Sequence, residues 1–156
     1  MRPHRDIAVL AGTQVLCFLV LIEFEPRFAA LHLYQSILYL AILLLLYYRE
    51  ERWAYMIAAP ASAVWMGLAY LSLLLSTAVH RLATFRSTGA AELVVSLIAL
   101  ATAVIALLMI ALCIRLWRKD YAGLGKTLNT FLISLGIVVV YYGIFLRWFW
   151  DMIAEA

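Results

Sequence analysis

Apolar residues run through this chain in five long stretches, separated by short clusters of charged and turn-forming residues. The stretches cover residues 7–22, 28–48, 53–78, 93–116 and 128–149. Each approaches the ~20 apolar residues with which an α-helix crosses ~30 Å of hydrocarbon. The pattern predicts an all-α integral membrane protein, a bundle of five transmembrane helices forming one transmembrane domain over residues 1–156. The first stretch is the shortest and is interrupted by Gly12, Thr13 and Gln14. Four spans plus an N-terminal helix lying in the interface is therefore the alternative architecture.

Polar positions inside the stretches mark the faces that turn away from lipid, because polar groups in hydrocarbon are costly. In the second stretch His32, Gln35, Ser36 and Tyr39 fall on one helical face. Ser62, Trp65, Ala69, Ser72 and Ser76 form a similar stripe in the third, on the expectation that it is one continuous helix. The fourth offers Ser96, Ala99, Thr102, Ala103 and Ala106, a small-residue face that lets a neighbour approach closely. In the fifth, Asn129, Gly136, Gly143 and Arg147 are expected to share the inward side. Folding the first stretch onto the second through the turn near Pro26 and Arg27 brings Gln14 level with Tyr39, Cys17 with Ser36, and Glu23 with His32.

Composition strengthens the membrane reading: 67% of the residues are apolar, too many for a water-soluble globule of 156 residues to hide. The loops are too short for a separate enzyme head or nucleic-acid module. The net charge of +3 suits anionic lipid headgroups. No basic stripe with interleaved aromatics lies outside the apolar stretches, so no nucleic-acid partner is expected. Lys and Arg set orientation. With a cytoplasmic N-terminus the inner side carries Arg2, Arg5, Arg49, Arg52, Arg115, Arg118, Lys119 and Lys126, against Arg27, Arg81, Arg86 and Arg147 outside. The expectation is a multi-pass protein of the cytoplasmic membrane with its C-terminus outside. The first stretch ends in Glu23-Phe24-Glu25-Pro26-Arg27 rather than in the small residues of a signal-cleavage site, so it is read as a retained helix.

Candidate chemistry centres on His32, about one turn inside the outer end of its helix, with a carboxylate expected nearby at Glu23 to orient the imidazole. A ligand- or ion-binding pocket in the outer half is drawn from Gln14, Glu23, His32, Gln35, Tyr39, Trp65 and Ser72. A haem or metal role for His32 would want a second donor. His80 stands about 42 Å up its helix from the inner turn and His32 about 25 Å, if both helices are straight. That mismatch argues against bis-histidine ligation. Cys17 and Cys113 fall at opposite ends of the bilayer and are expected to remain free. Asp120 stands where a phosphate loop ending in Gly125-Lys126-Thr127 requires glycine, so nucleotide binding is not expected. Arg147 and Asp151, one turn apart, are expected to pair.

No cysteine pair, deep carboxylate pair or serine with a level base suggests covalent catalysis, so no enzyme activity or cofactor is favoured. Three functions remain. The leading one is a non-enzymatic accessory subunit or oligomeric scaffold, whose partners are the lipid bilayer, other membrane subunits or further copies of itself. The second is a small ligand- or ion-handling protein using the pocket around His32. The third is a haem- or metal-binding redox subunit.

Overall fold

The computed structural model describes residues 3–84, 86–120 and 125–154. Among them every regular element is helical: α1 (Pro3–Phe24), a 3-10 turn (Pro26–Phe28), α2 (Ala29–Tyr47), α3 (Glu51–Leu71), α4 (Leu74–Ala83), α5 (Ala90–Asp120) and α6 (Gly125–Ala154). Five helices are long and apolar enough to cross a membrane: the segments are Arg5–Phe24, Pro26–Tyr47, Glu51–Leu71, Ala90–Lys119 and Leu128–Trp150. Gly12, Thr13 and Gln14 do not interrupt α1. Its 20-residue apolar segment is longer than the expected 16 residues and long enough to span alone.

The connections follow from local chemistry. Pro26 has no N–H to lose and opens the 3-10 turn; Phe28 N–H donates to Glu25 O at 2.9 Å before α2 begins. At the end of α2, Arg49 adopts a left-handed conformation (φ 62°). Glu50 N–H then reaches back to Leu45 O (2.8 Å) and Arg49 N–H to Leu46 O (3.2 Å). That pair of bonds is a Schellman closure, with arginine where glycine is usual.

The third predicted span needs correction. A continuous helix over 53–78 is not formed: α3 stops at Leu71, and Leu73 turns left-handed (φ 58°) before α4. Leu73 serves both helices. Its N–H donates to Tyr70 O (3.1 Å), closing α3, and its carbonyl accepts from Thr77 N–H (2.9 Å), opening α4. Period and hydropathy carry straight across this break because one left-handed residue changes direction without changing composition.

The helix α3 is central, packing against α2, α4, α5 and α6. Its apolar window is 56% buried, against 28–33% for the other four candidate spans. It is also the least hydropathic of the five. A helix surrounded by protein needs no lipid-facing oil and tolerates Ser62, Pro60 and a run of alanines. The helix α1 lies between α2 and α5, while α6 rests on α3 and touches α2. Exposed side chains such as Leu16, Leu33, Leu44, Leu107 and Val140 form an apolar exterior suited to lipid.

The expected inward faces of α2 and α5 are found: His32, Gln35, Ser36 and Tyr39 are buried, as are Ser96, Ala99, Thr102, Ala103 and Ala106. That of α6 is reversed. Thr130, Ser134, Val138, Tyr142 and Phe145 face inward, whereas Asn129, Gly136, Gly143 and Arg147 are exposed. Bulk decided this face, because large side chains fill the space beside α3 and glycines cannot. The side chain of Asp151 and residues 121–124 lie outside the described part of the chain, and with them the expected Arg147–Asp151 pair and the start of the Gly-Leu-Gly-Lys-Thr loop.

Candidate functional site

The buried polar groups lie on the inward faces of the long helices, among them Gln14 on α1, His32, Gln35 and Ser36 on α2, and Ser62 on α3. Helical spacing places Gln14 and Phe18 on one face of α1. The Phe18 ring lies 5.9 Å from that of Tyr39, 6.5 Å from His32 in a stacked arrangement, and 6.4 Å from Trp65 edge-on. Phe18 thus joins the seam on α2 to α3. Deeper in the bundle, Tyr39 and Ser62 are fully buried, and Tyr142 donates a long hydrogen bond of 3.5 Å to Ala61 O.

Of the seven residues assigned to the pocket, Gln14, His32, Gln35, Tyr39 and Trp65 are buried. The other two stand elsewhere. Glu23 is exposed at the end of α1. Ser72 is exposed and its hydroxyl donates to Ala69 O (3.4 Å) in its own helix. The carboxylate beside His32 is Glu25, with Oε2 3.3 Å from Nε2. The physical reason is the turn: α1 ends at Phe24, and the 3-10 segment brings the next residue over the first turn of α2. A position inside α1, such as Glu23, follows that helix's own outward face. Ser72 turns out because α3 has ended.

The His32–Glu25 pair forms the rim of the seam. The His32 side chain is 9% exposed and that of Glu25 31%. With Nε2 engaged by the carboxylate, Nδ1 is buried with no hydrogen-bond partner. Both ends of the Gln14 carboxamide share that condition, while the Tyr39 hydroxyl is turned toward those of Ser62 and Tyr142. The Ser36 and Thr102 hydroxyls instead satisfy themselves on their own helices, at Leu33 O (2.7 Å) and Ile98 O (2.8 Å). Buried polar atoms are paired in the great majority of cases, so His32 Nδ1 and the Gln14 carboxamide are places where the interior is chemically unfinished. Among the described residues no group of three His, Cys, Asp or Glu side chains stands together to hold a metal ion.

Two further ties frame the seam. Tyr34 and Tyr141 stack at 4.4 Å and donate reciprocally, Tyr34 to Tyr141 O (3.0 Å) and Tyr141 to Tyr34 O. They clasp α2 to α6, beside Phe145, Trp148 and Phe149. Near the start of α3, the Arg52 guanidinium donates to the Thr130 hydroxyl on α6.

Sequence reasoning missed Phe18, Glu25 and Tyr142 as site residues. Glu25 was legible as the first residue beyond a helix ending before proline. Tyr142 was legible from the Thr130, Ser134, Val138, Tyr142 repeat at four-residue spacing. Phe18 carried no signal that separates it from other apolar positions of α1. Comparison with protein-family models, with curated proteins and with solved structures finds no match.

Proposed function

We propose that this chain is a polytopic integral membrane protein without catalysis of its own, acting as an accessory or self-associating subunit of a membrane assembly. The supporting observation is the outward face of α6. Gly136 and Gly143 are exposed, and a Cβ added at either would meet nothing within 4 Å. With Val140 they share one side of the helix. Gly136, Ile137, Val140, Tyr141 and Ile144 line an open apolar groove of about 450 Å³. In lipid, helix pairing gains little from hydrophobicity and depends on close approach at small residues. The small face of α5 is used within the chain; that of α6 is left for another helix. Native mass spectrometry from lipid nanodiscs tests this. The expected result is more than one copy per particle, reduced to single copies by Gly136→Leu with Gly143→Leu at unchanged helix content. Single copies of the unaltered chain at every lipid-to-protein ratio refute it.

The orientation proposed with this reading places the N-terminus and the α2–α3 turn in the cytoplasm, because Lys and Arg collect at that end. Reporter fusions at the two termini that give the opposite assignment overturn it.

A second reading is favoured by the unpartnered polar atoms: a small-ligand or ion site along the seam below His32. Under it, a small molecule co-purifying with the unaltered chain is detected by mass spectrometry and is absent from a folded, assembled His32→Ala variant. An unchanged small-molecule complement refutes the role of His32.

A further inference from the structure

We propose that the C-terminal end of α5 binds an anionic phospholipid, its headgroup held by Arg115 and Arg118 and its acyl chains laid along the stripe of α5 that leads to them. One side of α5 is buried through Thr102, Ala106, Met109 and Cys113. Away from it, an unbroken exposed stripe runs through Val104, Leu108, Ala111, Arg115 and Arg118 at helical spacing. Lys119, also exposed, flanks its end. The first three positions of the stripe are apolar and the last two cationic, with no break in the helix between them. A face that changes from oil to charge while no protein covers it matches a single amphiphile, tails first and headgroup last.

The heights agree. Val104 stands ~16 Å along the helix from Arg115, about half of the ~30 Å hydrocarbon core, so the apolar part of the stripe is one leaflet long. Trp117 is exposed beside these cations, at the level where indole rings meet headgroups. Among the described residues no carboxylate forms an ion pair with Arg115, Arg118 or Lys119. A phosphate takes charge-assisted hydrogen bonds from guanidinium groups, and a zwitterionic headgroup, which carries its own cation, gains less. Cations at a helix C-terminus also suit its dipole, but that effect asks nothing of the apolar stripe. Cys17 on α1 lies against Thr102 on α5. With spans alternating in direction, counting back from Cys17 to Arg5 and forward equally from Thr102 reaches Ile114. Arg5, exposed at the start of α1 with Asp6 next to it in the chain, therefore adds a further cation at the height of Arg115.

Native mass spectrometry of the purified chain, offered equimolar phosphatidylglycerol and phosphatidylcholine, tests the site. The unaltered chain is expected to retain phosphatidylglycerol roughly tenfold or more over phosphatidylcholine, each surface cation being worth about fivefold. Equal retention of the two lipids overturns the proposal without recourse to any variant. Arg115→Gln with Arg118→Gln should lower phosphatidylglycerol retention roughly tenfold or more at unchanged helix content; undiminished retention overturns the assignment to these residues. Arg49→Gln removes an exposed cation at the same end of the bundle and should leave retention unchanged. A loss as large as that of the double variant would mean diffuse surface charge and overturns a site on α5. Glycerol phosphate, the same headgroup chemistry without acyl chains, should not displace the lipid, and displacement overturns the lipid as the ligand. The site needs only that α5 crosses a bilayer, so a chain found in single copies would still bind the lipid.

Discussion

The Tyr34–Tyr141 clasp yields a prediction with an unusual sign structure. Residues that touch normally couple when both are mutated, because each change removes the other's partner. Here each hydroxyl donates to the other residue's backbone carbonyl rather than to its side chain. Tyr34→Phe deletes one bond and leaves the acceptor of the other in place, and Tyr141→Phe does the reverse. Each should cost about 0.5–1.5 kcal/mol, the usual net worth of one intramolecular hydrogen bond. The double variant should cost the sum, about 1–3 kcal/mol, with a coupling below ~0.5 kcal/mol. Tyr141→Ala removes the 4.4 Å stack as well and should cost a further ~0.5–1.5 kcal/mol beyond lost area. The assay is reversible unfolding in mixed micelles of increasing denaturing-detergent fraction, followed by helix content. A coupling above ~1 kcal/mol, or single variants as stable as the parent, would refute the reciprocal backbone geometry.

Other consequences are as direct. Leu73→Gly should stabilise the chain by about 1 kcal/mol, since φ 58° is strained for leucine and free for glycine; a loss of thermal stability would mean the left-handed turn is absent. Arg49→Gly should act in the same direction at the α2 Schellman closure, read by the same melt. Gln14→Leu should raise the stability of the bundle by about 1–3 kcal/mol by removing buried polar atoms that lack partners. A clear destabilisation would show that Gln14 is hydrogen-bonded in the folded chain. Breaking the tie between α3 and α6 with Thr130→Val should cost about 1.5–3 kcal/mol, as expected for a hydrogen bond to a charged group, and no change in the melt would count against it.

Much of the candidate site could be read from residue spacing, and the limits of that reading are physical. The inward faces of α2 and α5 were visible because polar or small residues recur there at helical spacing among lipid-facing leucines. The α6 face was misread for the same reason. Glycine and asparagine look like interior residues to a periodicity argument, yet Tyr142 and Phe145 are the side chains large enough to fill the space beside α3. The partner of His32 was placed two residues too early because a simple reflection of α1 onto α2 ignores the 3-10 turn between them.

The sequence by itself determined that the chain is helical, that five of its segments are long and apolar enough to cross a membrane, and that a polar seam runs down one side of α2. Those properties depend on composition and on a 3.6-residue period, both local. Tertiary structure decided the rest. It set the break at Leu73, the choice of Glu25 over Glu23, the central place of α3, the outward glycines of α6, and the packing of Phe18 against His32, Tyr39 and Trp65. Each turns on a single left-handed residue, the length of a turn or the relative bulk of facing side chains, and such quantities acquire a value only when helices pack.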